Sequence, residues 1–131
     1  MSSNHGAVCD QDTLLENLAA ELTNTAYSIA LRNGMRGAWI EVELGLWRAL
    51  AATVKRWARE VPPAGSLDAR KVWREGLLVD LTESAFYIAM KHGINGSLLE
   101  VELCLYRAFR MVIRRVGREA LRRQIAPGRR S

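Results

Sequence analysis

LTNTAYSIALRNGMRGAWIEVELGLWRAL, Leu22 to Leu50, aligns without a gap onto LTESAFYIAMKHGINGSLLEVELCLYRAF, Leu81 to Phe109. The offset is 59 residues, Leu22 to Leu81. Leu-Thr, Ile-Ala, Gly-x-x-Gly, Glu-Val-Glu-Leu and Arg-Ala stand in the same places in both copies. Two copies are too few for a solenoid, which generally needs three or more to bury its faces. The expected solution is a pair of fused helical hairpins related by a pseudo-twofold axis: an all-α four-helix bundle.

Each copy reads as helix, tight turn, helix. Leu15, Leu18, Leu22, Ala26 and Ile29 recur at spacings of three and four, which lines one face of a helix. Thr13 followed by Glu16 has the spacing of a capping box, as has Ser97 followed by Glu100. Gly34 and Gly93 stand where each first helix must stop, because glycine reaches the left-handed region at little cost. The Gly-x-x-Gly pairs resemble phosphate or nucleic-acid loops in composition, but here each lies between two helices, so turn geometry explains them. Val-Pro-Pro-Ala-Gly-Ser, from Val61, breaks the chain between hairpins, and Asp68 is the expected cap of the third helix. The predicted organisation is a disordered tail over 1–12, hairpins over 13–60 and 68–119 forming one domain, a linker over 61–67, and a basic tail over 120–131.

On the wheel of the second helix, Glu43 falls between Trp39, Ile40, Leu46, Trp47 and Leu50, and Glu102 takes the same place in the second copy. A carboxylate buried without a partner costs several kcal/mol or takes up a proton. Three readings follow. The acids are satisfied polar locks that fix register; or they converge as a ligand or metal site, as in carboxylate-bridged bundles; or their face meets another subunit. Arg32 and Lys91, matched cations near the turns, are candidate ion-pair partners, and Thr23 with Thr82 or Thr25 with Ser84, Trp39, Trp47 and Tyr106 are candidate donors. The Glu-x-x-His spacing of di-metal bundles is absent, and His92 matches Asn33 rather than a second histidine, so no metal is expected; any metal would fall to Glu43 and Glu102. His92 reads as a helix-end residue.

The net charge of +5 is unevenly placed. Arg107 to Ser131 holds nine arginines and one acid, Glu119, which leaves the rest of the chain at −3. Arg107, Arg110, Arg114, Arg118 and Arg122 step by three or four, and Arg123 adjoins them, so they form a stripe that is either a solvated basic face near a helix C-terminus or a site for nucleic acid or another polyanion. Gly45, Ala49 and Ala52, with Cys104, Ala108 and Met111, form small-residue strips that would suit a helix contact between subunits. Hydrophobic residues at 49 % and charged residues at 25 % place the chain among folded rather than disordered sequences. There is no secretory signal, no membrane-length apolar run and no disulfide framework, so a cytoplasmic protein is expected. Neither a nucleophile–histidine–acid set nor a dinucleotide or phosphate-loop motif is present. The expectation is thus a non-enzymatic interaction or scaffold protein without cofactor. It would form a homodimer or bind another helical protein, with a basic C-terminal end for an anionic partner. The alternatives are a ligand- or metal-binding bundle and a weakly specific nucleic-acid binder.

Overall fold

The computed structural model describes the backbone of residues 2–36, 39–63 and 65–130, and the side chains of these residues from 13 to 118. Four helices account for nearly all of it: α1 (Ser2–Arg32), α2 (Trp39–Ala58), α3 (Leu67–Lys91) and α4 (Leu98–Arg130). No strand occurs among the described residues. α1 packs on α2 and α4, and α3 packs on the same two, which makes a square bundle of antiparallel neighbours.

The core is drawn evenly from the two copies. Leu22 and Leu81, Ala26 and Ala85, Val42 and Val101, Leu46 and Leu105, and Leu50 and Phe109 are all buried. Each large aliphatic or aromatic side chain so buried contributes about 1.5–3 kcal/mol. The Thr23 and Thr82 hydroxyls, also buried, donate to the carbonyls of Ala19 and Leu78 one turn back, at 2.7 and 2.8 Å. They are satisfied within their own helices and leave nothing to donate to an acid.

Helix ends follow backbone chemistry. Gly34 and Gly93 have φ of +82° and +79°. At the end of α1 the Met35 N–H reaches Ala30 O and the Gly34 N–H reaches Leu31 O, the two bonds of a Schellman cap. The two turns then bond to each other. Arg36 N–H donates to His92 O at 2.7 Å, and Asn95 N–H donates to Asn33 O at 2.5 Å. Asn33 and His92 are 59 residues apart, as are Arg36 and Asn95, so the exchange is reciprocal.

Three boundaries differ from expectation. α1 begins at Ser2, not at Thr13, so Thr13 caps nothing; once nucleated, a helix gains a hydrogen bond for each residue added. α4 runs to Arg130 rather than stopping at 119, through Glu-Ala-Leu-Arg-Arg-Gln, all of them strong helix formers, and on past Pro127 and Gly128, for which propensity gives no reason. Ser66 takes the N-cap position of α3, and Asp68 lies in its first turn, where a carboxylate meets the positive end of the helix dipole.

The two seams between hairpins are built differently. At α2/α3, the Trp57 indole N–H donates to Asp80 Oδ2 at 2.8 Å, Arg56 pairs with the same carboxylate, and the Trp73 indole N–H donates to Trp57 O at 3.0 Å. The two indoles meet edge to face, with centroids 6.4 Å apart. Gly76 lets them in: a Cβ there would lie 2.6 Å from the Trp57 ring. At α4/α1, Arg115 pairs with Glu21, the positions matching Arg56 and Asp80. Leu14 and Val116 stand where the tryptophans would be, and a groove of about 300 Å³ remains, lined also by Asn17, Leu18 and Asn24.

Candidate protein–protein interface

Glu43 and Glu102 are not sealed in the core. Both are partly exposed, while Val42, Leu46, Leu50, Val101, Leu105 and Phe109 fill the centre. The buried arc of α2 passes through Val42, Leu46, Leu50 and Thr53, so Glu43 lies on its flank. Trp39, Ile40 and Leu44, which put the acid at the middle of the apolar wheel, are 59 %, 52 % and 47 % exposed. Counting them as core displaced the centre. Apolar residues are common at surfaces, and periodicity alone does not tell the two apart.

The expected partners of these acids are elsewhere. Among the described residues, the ion pairs are Arg56–Asp80 and Arg115–Glu21. Arg32 and Lys91 are exposed, and Lys91 Nζ lies 5.6 Å from the centre of the Tyr87 ring, within cation–π reach. The Tyr106 hydroxyl donates to Glu75 Oε2 at 2.6 Å, not to Glu102. His92 is the C-cap residue of α3 and donates its backbone N–H to Ala89 O. No cluster of three or more His, Cys, Asp or Glu side chains forms among the described residues.

What surrounds the acids instead is exposed apolar surface, and it is duplicated. Leu31 and Met90 lie one residue before the ends of α1 and α3. Trp39 and Ile40 open α2, and Leu98 and Leu99 open α4. Leu44 and Leu103 follow one turn later. All eight are between 44 % and 66 % exposed. Because the two turns bond to each other, these residues crowd one end of the bundle, an apolar collar around the turns. Arg32, Arg36, Glu41, Lys91 and Glu100, all exposed, and Glu43 and Glu102, partly exposed, give it a rim of both charge signs.

The small-residue strips divide between packing within the chain and exposed surface. A Cβ on Gly45 would meet the Ile88 side chain of α3 at 3.7 Å, so Gly45 serves the α2/α3 seam. Ala49 accepts the Thr53 hydroxyl through its carbonyl and is partly buried. Cys104 and Ala108 pack against the core, while Ala52 and Met111 are exposed. Small residues allow close helix approach, and here the approaching helix belongs to the same chain. Of the basic stripe, Arg107, Arg110, Arg114 and Arg118 are exposed on α4; the side chains of Arg122 and Arg123 lie outside the described residues.

No protein-family model, curated protein or solved structure matches this chain. No described helix is long and apolar enough to cross a membrane.

Proposed function

We propose that this chain is a non-enzymatic interaction module, two hairpins related by a pseudo-twofold axis, that dimerises end to end through its collar. The observation that carries the reading is the paired exposure of Leu31 and Met90, Trp39 and Leu98, Ile40 and Leu99, and Leu44 and Leu103. Monomeric proteins rarely leave contiguous apolar patches beyond a few hundred Å² uncovered. An internal twofold along the bundle axis suits an isologous end-on contact, which buries the same collar on both copies and closes without forming fibres. Its apolar centre and charged rim match the general anatomy of protein interfaces. Glu43 and Glu102, with Arg32 and Lys91, then act at the rim, where charge sets orientation more than affinity.

Sedimentation equilibrium across micromolar concentrations tests this reading. The expected result is a dimer, with Ile40→Glu plus Leu99→Glu raising the dissociation constant about a hundred-fold or more, about 2.8 kcal/mol, at unchanged helix content. A monomer throughout, or a dimer indifferent to that pair of substitutions, rules the collar out.

A further inference from the structure

The arginine stripe of α4 does not stand alone. Lys71 and Arg74 of α3 face Arg110 and Arg114 of α4 across a groove of about 230 Å³, which Leu67, Leu78 and Glu75 complete. Lys71 and Arg74 are three residues apart and Arg110 and Arg114 four, so each pair shares one helix face. Among the described residues none of the four cations is in an ion pair. The single carboxylate, Glu75, already accepts the Tyr106 hydroxyl. That bond, burial and the charge of Glu75 raise the phenol's pKa above its ordinary value, while Arg110 and Arg114 pull it down, so both guanidiniums act on the same spot.

Three of these four cations have no cationic counterpart in the first hairpin. Subtracting the repeat offset from Lys71, Arg74, Arg110 and Arg114 gives Asp12, Leu15, Ala51 and Lys55 in the first hairpin. Like charges lined up on two facing helices repel unless something negative lies between them. Exposed Arg107 and Arg118 continue the row along α4. From Arg107 to Arg118 the helix rises about 16 Å.

We infer that the α3/α4 groove holds the phosphate backbone of a single-stranded nucleic acid. The cations line both walls between adjacent helices, whose axes lie about 8–10 Å apart. The four cations are exposed along the two sides of the groove, so a flexible strand lying along it can bend to reach both rows, which a stiff duplex or a flat bilayer surface does less closely. No aromatic side chain lines the groove, so bases are not read and binding is independent of sequence. The site is distinct from the collar and does not depend on the dimer.

The test is fluorescence anisotropy with the full chain and a labelled mixed-sequence DNA strand. Two variants with equal charge removed are compared. One carries Lys71→Gln, Arg74→Gln, Arg110→Gln and Arg114→Gln. The other carries Arg48→Gln, Lys55→Gln, Arg56→Gln and Arg59→Gln, all exposed positions outside both the groove and the collar. Four phosphate contacts predict that the groove contributes a salt slope of about −2.8, or roughly fifty-fold between about 50 and 200 mM salt. The groove variant should lose that slope and bind at least tenfold more weakly, the control less than threefold. Should the quadruple variant fail to fold, each two-residue half, Lys71 with Arg74 or Arg110 with Arg114, should lose about half the slope. The same measurements on the Ile40→Glu, Leu99→Glu variant separate failure of the groove from failure of the collar. Equal losses in groove and control variants overturn the proposal. So does absence of binding, preference for duplex over single strand, or binding confined to phosphatidylserine vesicles.

Discussion

The two seams that join the hairpins carry the same Arg–carboxylate pair at matched positions, yet one is plugged by indoles and the other is open. At α2/α3, Trp57 and Trp73 fill the space beside Arg56 and Asp80, and Gly76 makes room for them. At α4/α1, Leu14 and Val116 leave a groove beside Arg115 and Glu21. The ion pair can be kept while the packing around it changes, so the pair does not determine how tightly a seam closes. Surface ion pairs are worth only about 0–1 kcal/mol, whereas a large aromatic in contact contributes several times that.

The comparison breaks first at the aromatics. Trp57→Ala should cost about 3 kcal/mol, because it removes the ring that packs on Trp73 and the donor to Asp80. Val116→Ala, at the matched position beside an existing groove, should cost about 1 kcal/mol. Urea denaturation of the two variants measures both, and equal costs would mean that the α4/α1 seam closes in solution. Next come the acids. Asp80→Ala strands the Trp57 indole N–H and should cost about 1–2 kcal/mol, while Glu21→Ala should cost about 0.5 kcal/mol or less. A large cost at Glu21 would show that its pair is far less wetted than its exposed geometry indicates.

An effect of similar small size concerns pH. The Tyr106 phenol is held above its ordinary value, chiefly by its hydrogen bond to Glu75. A raised value means that the neutral phenol is favoured in the fold. Its contribution is therefore complete below about pH 10, the unfolded value, and is lost as pH rises through the raised one. Wild type and Tyr106→Phe should differ by about 0.5 kcal/mol at neutral pH, and the difference should shrink above pH ~10. A difference that grows with pH would contradict that sign.

Much of the architecture could be read in advance, because the repeat doubled each signal. Two apolar stripes, two glycines with positive φ and one proline-rich break are enough to place four helices and their turns. Glu43 and Glu102 were misplaced for a definable reason. A wheel averages over every apolar residue, and Trp39, Ile40 and Leu44 are apolar but exposed at the start of their helix. Such end residues cannot be told from core by spacing. Gly45 is a different case: small residues announce a close helix but not whose, and Ile88, which it faces, is 43 residues away in sequence. The basic groove was half visible. The arginines of α4 stood out as a stripe, but Lys71 and Arg74 join them only because α3 and α4 pack side by side.

The reciprocal bonds between the turns have a consequence for the chain as a covalent object. Each hairpin offers the other one carbonyl and one N–H at Asn33, Arg36, His92 and Asn95, and only residues 59–66 link α2 to α3 at the far end. That linker therefore does little to specify the pairing. Halves cut within it carry everything needed to recognise each other, and would reassemble as a split protein. At high concentration the same instructions permit an exchange, in which the first hairpin of one molecule completes the second hairpin of another.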